Sequence, residues 1–414
     1  MYLPIKGKIV YITFLLLLSA IGPTRSQDRL SMILESEKLI NKGDTAQSIT
    51  NYKKILEHYP QSFSATKRLA EIYYYQKDYY HAILYTNIAL DITDNFLARQ
   101  DELLAKNKQT MTSSERVESH QKTDQYLKDK ADAHHLKGLI RLKQFRHADA
   151  IEELDMAIKV DSGNHSLYLD KATILIEKGV MTQARQYLHL ATKDPLLRGK
   201  ALFSFANSFY KEKRLDSALF YYNEVIKSNP LYKLAYQYKG LVLTEMQRYQ
   251  QAQHAFTQFI QLDSTSEEIF FRRAVLYNEL GEMTKALNDW DKVLTLNPEN
   301  QEALRNRGLT YFQLGEYMEA IADFDKALEQ APGQSFTRIN RGYSYYLLNQ
   351  PDKALTDLNK GIEQMPRYYL GRYFRALVYL QKRKKKEACR DLKRAIELGM
   401  KEADIDRILI KKCL

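Results

Sequence analysis

The chain has 414 residues, a formal net charge of +11 and two cysteines. The positive charge is concentrated at one end, because residues 335–414 hold 19 Lys and Arg against 9 Asp and Glu. Beyond the first 26 residues no stretch is apolar enough over ~20 residues to span a membrane, which excludes a multi-span membrane protein.

The first 26 residues have the layout of a secretory signal peptide. Lys6 and Lys8 precede an apolar run from Ile9 to Gly22, and small and polar residues follow up to Ser26. We expect cleavage after Ser26 and export to the periplasm or the outer envelope, which excludes nucleic acid as a partner. The alternative is an uncleaved N-terminal helix that tethers the chain, although the apolar run is shorter than the ~20 residues of a spanning helix.

A 34-residue period governs the rest of the chain and is clearest from Ala131 onward. Counted from the first residue of each repeat, the eighth and the twentieth places hold small residues. The eighth places are Gly138, Ala172, Ala206, Gly240, Ala274, Gly308, Gly342 and Ala376. The twentieth places are Ala150, Ala184, Ala218, Ala252, Ala286, Ala320, Ala354 and Ala388. This pattern predicts a helix-turn-helix repeat whose two helices approach closely.

Bulky and helix-breaking residues recur at other places of the repeat. The twenty-fourth places are Leu154, Leu188, Tyr222, Phe256, Trp290, Phe324, Leu358 and Leu392, which can fill the gaps beside the small residues. Proline follows the second helix in four repeats, at Pro230, Pro298, Pro332 and Pro366. Gly281 and Gly315 mark the turn between the two helices.

These features together resemble the tetratricopeptide repeat family, as in the stretch ALRNRGLTYFQLGEYMEAIADFDKALEQAP from Ala303 to Pro332. Eight consecutive repeats over 131–402 carry the resemblance. It implies an all-α fold, a right-handed superhelical solenoid of helix-turn-helix repeats with a C-terminal capping helix.

The period continues upstream and ends in a cap. Residues 29–96 form two further repeats, with Ser36, Ser48, Ala70 and Ala82 at the small places. Residues 97–130 keep the length but lack the small residues, so they are either a degenerate repeat, with Ser113 or Ser114 as a helix N-cap, or a flexible insertion. Residues 403–414 are expected to form the capping helix.

The two cysteines lie on either side of a turn at Gly399. An antiparallel pair of helices would bring Cys389 and Cys413 to the same end. An even number of cysteines in an exported chain favours a disulfide between them, and the alternative is two unpaired thiols.

Charged residues form two patterns. A basic patch of Lys382, Arg383, Lys384, Lys385 and Lys386 falls on the turn within the last repeat. It is either a solvated turn or a peripheral contact for an acidic partner or an anionic membrane surface. Four repeats combine Arg at the seventh place with Asp at the twenty-third, which predicts structural pairs: Arg273 with Asp289, Arg307 with Asp323, Arg341 with Asp357, and Arg375 with Asp391. Such pairs contribute little if they are exposed to solvent.

The family resemblance also implies a concave groove that is lined by the second, fifth, sixth, ninth, twelfth and thirteenth places of each first helix. The predicted partner-binding residues are Tyr238, Phe271, Arg272, Asn278, Arg305, Asn306, Asn340, Tyr343, Tyr346 and Tyr373, and Phe336 and Phe374 share these places. Asn306 and Asn340 resemble the asparagines with which other family members hold a peptide backbone. The alternative is that several of the aromatic residues pack against neighbouring helices.

Motifs for catalysis are absent from the sequence. It has no phosphate-binding glycine loop, no nucleophile elbow and no paired-histidine metal motif, and His134, His135 and His147 lack companions for a metal site. We therefore expect a non-catalytic scaffold or adaptor of the cell envelope that binds other proteins or peptide segments without a cofactor or metal. Two alternatives remain, a glycan or envelope-polymer adaptor and an endoplasmic-reticulum lumenal cochaperone.

Overall fold

The structure is a computed structural model that describes residues 25–107 and 110–413. These ranges contain α-helices and one short 3-10 helix, Glu402–Asp404, and no β-strand. The helices up to residue 211 are α1 Arg25–Asn41, α2 Thr45–His58, α3 Phe63–Tyr75, α4 Tyr79–Lys106, α5 Ser113–Lys143, α6 His147–Val160, α7 His165–Glu177, α8 Met181–Ala191 and α9 Arg198–Lys211. The all-α prediction is confirmed, and the predicted signal peptide lies almost wholly outside the described residues.

The remaining helices repeat one pattern. They are α10 Leu215–Ser228, α11 Lys233–Glu245, α12 Tyr249–Leu262, α13 Glu267–Glu279, α14 Met283–Leu296, α15 Gln301–Leu314, α16 Tyr317–Gln330, α17 Ser335–Leu347, α18 Pro351–Gln364, α19 Tyr369–Gln381, α20 Lys385–Glu397 and α21 Arg407–Cys413. From α11 to α19 the first helix of every repeat begins exactly 34 residues after the previous one. The chain divides into an N-terminal body that ends at Ser208 and a C-terminal body that begins at Phe209, with the boundary inside α9.

Within a repeat, the two helices meet where a small residue faces a large one. A Cβ atom added to Gly240 on α11 would lie 2.3 Å from the ring of Phe256 on α12. At Gly308 the corresponding distance to the ring of Phe324 is 2.7 Å. Both aromatic rings are buried. The small residue at the eighth place is therefore required by the bulky residue at the twenty-fourth place.

The turn inside each repeat has a left-handed residue at the fifteenth place. Four repeats have glycine there, at Gly43, Gly179, Gly281 and Gly315. In six others the same backbone conformation is adopted by Lys77, Phe145, Lys213, Gln247, Asn349 and Arg383, with φ between 58° and 64°. The predicted position of Gly281 and Gly315 in the turn is confirmed. Six of the other turns have the same left-handed backbone conformation, although their residue has a side chain and adopts this conformation less readily than glycine.

Residues 97–130 contain the end of α4, up to Lys106, a turn, and the start of α5 from Ser113. Their two helical stretches are continuous with the helices of the neighbouring repeats. The two helices contact each other through the stacked rings of Phe96 and Tyr126, whose centroids are 3.5 Å apart. Neither Pro nor Gly interrupts the chain at 93–96 or 127–130, whereas most other repeats have one of them at the corresponding places. The N-cap of α5 is Thr112, in a capping box with Glu115, and not Ser113 or Ser114.

The C-terminal cap begins later than predicted. The final helix α21 starts at Arg407, because the Asp406 side chain accepts a hydrogen bond from the Ile408 N–H and fixes the helix start there. Cys389 on α20 and Cys413 on α21 form a disulfide, with Cα atoms 5.0 Å apart. Leu409 on α21 is fully buried in a cluster with Leu392 of α20 and Leu377 of α19.

The four predicted Arg–Asp pairs are present, and each is bidentate. Arg307 donates from Nε and Nη2 to the two carboxylate oxygens of Asp323, at 2.8 and 2.7 Å. The pairs are largely buried, unlike the solvent-exposed pairs that the sequence left possible. The Asp323 side chain, for example, is only 4% exposed. The third nitrogen of Arg307 reaches back to Asp291, in the preceding repeat, at 2.6 Å. These pairs therefore link neighbouring repeats as well as the two helices of one repeat.

The pattern of pairs extends to lysine at the seventh place. Lys171 donates to Tyr187 Oη, at the twenty-third place, at 2.8 Å and also contacts Asp155 in the preceding repeat. Lys239 occupies the same place but has Ala255 at the twenty-third. No ion pair of Lys239 occurs among the described residues, and burial lowers the pKa of its ammonium group.

Candidate functional site

The groove face comprises the predicted partner-binding residues on α11, α13, α15, α17 and α19, all in the C-terminal body. Three of them are engaged inside the protein. The ring of Tyr238 stacks on the buried Tyr222 at 5.9 Å, and Phe271 packs edge-on against the buried Trp290 at 4.9 Å. The side-chain oxygen Oδ1 of Asn278 accepts a hydrogen bond from the Thr310 hydroxyl on α15. The two aromatic rings thus pack against neighbouring second helices, and Asn278 is hydrogen-bonded to the next first helix.

The two arginines of the groove face pair with acids on their own helices. Arg272 donates from Nε to Glu268 at 2.8 Å, and Arg305 donates to Glu302 at 3.4 Å. Both pairs are exposed to solvent, where an ion pair typically contributes less than ~1 kcal/mol. A carboxylate of a bound segment could therefore replace either glutamate at little cost.

The two asparagines differ from the rest of the groove face. The side chains of Asn306 on α15 and Asn340 on α17 are partly exposed, and neither makes a hydrogen bond to any described residue. Both occupy the sixth place of successive repeats. A carboxamide carries a donor and an acceptor, so each can bind the N–H and the C=O of an extended peptide.

An aromatic row crosses three successive first helices beside the asparagines. Tyr343 on α17 stacks on Phe374 of α19 with ring centroids 3.8 Å apart, and it contacts Phe312 of α15 at 5.6 Å. Tyr346, one turn further along α17, stacks on Tyr343 at 5.8 Å. Burial raises the pKa of Tyr343 to about 12. Its hydroxyl is a hydrogen-bond donor and acceptor.

The C-terminal cap closes one end of this row. The Tyr373 hydroxyl accepts a hydrogen bond from the Asp406 backbone N–H at 3.2 Å, so the cap uses a residue that sequence assigned to the groove. Burial, with a smaller effect from the negative charge of Asp406, raises the pKa of Tyr346. The Asp406 carboxylate therefore lies near the aromatic row.

Sequence reasoning missed two residues of this arrangement. Phe312 occupies a groove place, the twelfth, and its aromatic character was a signal that could have found it. Asp406 left no such signal, because its position depends on how the cap folds back over α19 and α20.

Neither the histidines nor the acids form a metal site in the described residues. No group of three or more His, Cys, Asp or Glu side chains is arranged there to hold a metal ion. His134 pairs with Glu153 and His135 with Asp170, each at 2.7 Å, and His147 lies 3.6 Å from Glu177. Within the same ranges, no helix has both the length and the apolar character that crossing a membrane requires.

The basic patch lies on the turn between α19 and α20, as its sequence position predicts. Lys382 pairs with Asp352, in the preceding repeat. Arg383, Lys384, Lys385 and Lys386 are exposed and have no ion pair among the described residues. The last two belong to the first turn of α20.

Four family models for the tetratricopeptide repeat match the chain, at residues 29–62, 238–295, 276–315 and 302–334. The chain is a tetratricopeptide repeat protein. The match at 302–334 coincides with the repeat that begins at Gln301 and contains α15 and α16. The match at 29–62 coincides with the first repeat, which contains α1 and α2.

Solved structures of other repeat proteins are similar to parts of this one. MamA is 22% identical with a TM-score of 0.38, and the likeness covers 39% of this chain and 95% of that chain. YrrB, described as a tetratricopeptide repeat protein with an unusual peptide-binding site, is 23% identical with a TM-score of 0.42, over 44% and 95%. A tetratricopeptide repeat protein from Parabacteroides merdae is 20% identical with a TM-score of 0.41, over 59% and 97%. No curated protein matches the chain.

Proposed function

We propose that this tetratricopeptide repeat protein is a non-catalytic scaffold of the cell envelope that binds an extended polypeptide segment along the groove face of its C-terminal body. The repeat fold supports protein–protein interaction in general. The observation that carries the finer proposal is the pair Asn306 and Asn340, whose carboxamides have no hydrogen-bond partner among the described residues.

The neighbouring side chains fit the same kind of ligand. The aromatic row of Phe312, Tyr343 and Phe374 offers apolar contact area beside the two carboxamides. Arg272 and Arg305, in weak exposed pairs, offer charge for acidic side chains of the segment. An extended segment presents backbone amides and alternating side chains, which match this combination of polar and aromatic contacts.

A test of the groove uses a displayed library of random linear peptides and the full chain. Peptides selected on the wild-type chain are measured by calorimetry against the double variant Asn306→Ala and Asn340→Ala. Each lost hydrogen-bonding carboxamide costs ~1 kcal/mol, about fivefold in affinity, so the double variant should bind about 25-fold more weakly.

A matched control replaces Asn288 and Lys326 with alanine, two exposed side chains on the second helices α14 and α16. This control should bind the selected peptides as the wild type does. Equal binding by the wild type and by the double asparagine variant would show that the groove assignment is wrong. A rise in melting temperature with oligosaccharides, and no selected peptide, would favour the glycan alternative.

Export belongs to the same proposal and has its own test. The layout of residues 1–26 supports a signal peptide that is removed after Ser26. N-terminal sequencing of the chain from an envelope fraction should then begin at Gln27. A chain that retains Met1 and remains with membranes would favour the tethered alternative. The proposal further includes a peripheral contact of the C-terminal end with an acidic partner or an anionic membrane surface.

A further inference from the structure

The exposed cations of the last repeat continue into the cap. Arg383, Lys384, Lys385 and Lys386 are exposed at the start of α20, and Lys411 and Lys412 are exposed on α21. We call these six residues the C-terminal basic surface. Residues 382–414 contain 12 Lys and Arg against 6 Asp and Glu. Of the six acids, Asp391 is buried against Arg375 and Glu397 is paired with Arg394, while Glu402, Asp404 and Asp406 are exposed in the segment that leads to α21.

The disulfide brings the two parts of this surface together. Cys389 lies three and four residues after Lys386 and Lys385, and therefore on the same face of α20. Its sulfur is bonded to Cys413 and lies 3.8 Å from the carbonyl oxygen of Lys412. The disulfide therefore ties the helix that carries Lys411 and Lys412 to the face of α20 that carries Lys385 and Lys386.

The position of the lysines is unfavourable for the helix itself. Lys384 is the N-cap residue of α20, and Lys385 and Lys386 lie in its first turn. The N-terminus of a helix carries a partial positive charge, so acidic residues are favoured there and lysines are not. The same turn also contains the acidic Glu387, so helix stability explains that residue but not the lysines beside it.

The composition of the surface favours a lipid bilayer over an acidic protein. Protein interfaces have an apolar centre from which charged residues are depleted, and this surface consists of six cations. Among the described residues after Phe336, Ile408 is the one large apolar side chain that is mostly exposed, at 58%. It lies three and four residues before Lys411 and Lys412, on their face of α21. A cluster of four to eight cations beside an exposed aliphatic side chain is typical of peripheral binding to anionic membranes.

We propose that the C-terminal basic surface binds anionic lipid headgroups, and that the Cys389–Cys413 disulfide completes it by holding Lys411 and Lys412 beside α20. This inference deepens the peripheral contact in the proposed function and rests on it. It does not depend on the groove face, so either site can fail without the other.

The main test measures binding of the full chain to vesicles of phosphatidylcholine with or without phosphatidylglycerol. Each lysine near an anionic surface contributes about fivefold in affinity, so Lys384→Glu, Lys385→Glu and Lys386→Glu together should lower binding to the anionic vesicles by more than about 100-fold. The control changes three exposed lysines elsewhere by the same total charge: Lys159→Glu, Lys178→Glu and Lys193→Glu. It should bind far more tightly than the first variant. The first variant should also melt at a higher temperature than the wild type, which shows that it folds.

A second test examines the role of the disulfide. Lys411→Gln with Lys412→Gln should weaken binding about 25-fold when the disulfide is intact, and much less in a chain that also carries Cys413→Ser. Equal effects in both backgrounds would overturn the role given to the disulfide. Equal vesicle binding by the two lysine-to-glutamate variants, or equally tight binding to neutral vesicles, would overturn the lipid proposal. Displacement from vesicles by polyglutamate or by glycerol phosphate at the same ionic strength would assign the surface to an acidic protein or to a free phosphate compound instead.

Discussion

Gly240 on α11 faces the ring of Phe256 on α12 so closely that a Cβ atom at position 240 would lie 2.3 Å from the nearest ring carbon. The ring is fixed by its burial, so neither side can move without opening a cavity. Gly240→Ala should therefore destabilise the C-terminal body by about 2 kcal/mol, although alanine is the better helix former. The midpoint of urea unfolding, with hydrogen exchange of α11 and α12, measures this effect.

Gly138 is the matched control for this prediction. It occupies the same eighth place, but an added Cβ would lie 3.2 Å from the Ala150 carbonyl oxygen and 3.4 Å from the Leu154 side chain. Gly138→Ala should cost less than Gly240→Ala, because the neighbours need to move only by tenths of an ångström. Equal losses would mean that Phe256 can turn aside and that its fit against Gly240 is not specific.

The two aspartates that bind Arg307 should differ sharply when replaced. Asp323 is 4% exposed, whereas Asp291 is 54% exposed. Asp323→Asn leaves the buried guanidinium without its bidentate partner and should cost about 3 kcal/mol. Asp291→Asn removes an exposed contact and should cost less than ~1 kcal/mol. Similar costs for the two variants would show that the Arg307 side chain repositions freely.

Replacing the lysine at the seventh place should change the free energy of unfolding in opposite directions in two repeats. Lys171 is 5% exposed and paired, so Lys171→Met should destabilise the N-terminal body by about 2 kcal/mol. Lys239 lacks an acidic partner among the described residues, so Lys239→Met should stabilise the C-terminal body by about 0.5 kcal/mol. Thermal melts of both variants and of the wild type test whether the first variant is destabilised and the second is stabilised.

The lowered pKa of Lys239 also predicts a dependence on pH. Its folded-state pKa lies below the unfolded value near 10.5, so the folded chain binds fewer protons between the two values. Stability from this group therefore rises as the pH rises through the folded pKa, and it levels off above the unfolded one. The gain of Lys239→Met over the wild type should shrink as the pH approaches 10.5. A constant gain would mean that the methionine acts by packing alone.

Much of the fold follows from residues that the sequence shows directly. The period of 34, the small eighth place and the Arg–Asp pairs predict contacts such as Gly308 with Phe324 and Arg307 with Asp323, because those contacts recur in a fixed frame. At 97–130 the helices differ from those of the other repeats. Continuation of α4 and α5 accompanies the absence of Pro and Gly at 93–96 and 127–130, which a count of repeat residues does not register.

The candidate site was less predictable than the fold. The groove places are lined by side chains whose packing depends on neighbours in other repeats, as with Phe271 against Trp290 and Asn278 with Thr310. The cap adds contacts that no repeat position encodes, since the Asp406 N–H binds the Tyr373 hydroxyl only after α21 folds back. The unpartnered state of Asn306 and Asn340 likewise depends on the folded arrangement.

The turns offer a prediction about the fifteenth place. Gln247 is exposed and has a φ of 58°, a conformation that costs a non-glycine residue about 1–2 kcal/mol. Gln247→Gly removes this cost but increases the entropy of the unfolded chain, so a net stabilisation of about 0.5 kcal/mol is expected. The converse variant, Gly281→Gln at the same place with a φ of 74°, should destabilise by about 1 kcal/mol. Opposite shifts of the two urea midpoints support this account, and shifts of the same sign contradict it.

The disulfide predicts both a covalent state and a local stability. The full chain denatured without a reductant should gain no mass from an alkylating reagent, and it should gain two adducts after reduction. Cys389 and Cys413 are 24 residues apart, so closing this loop should contribute about 3 kcal/mol to the cap. Hydrogen exchange in α21 should accelerate strongly after reduction, while α11 to α16 stay unchanged because reduction of the cap leaves their packing intact. Two adducts without reduction would mean that the cap is held by Leu409 and its apolar neighbours alone.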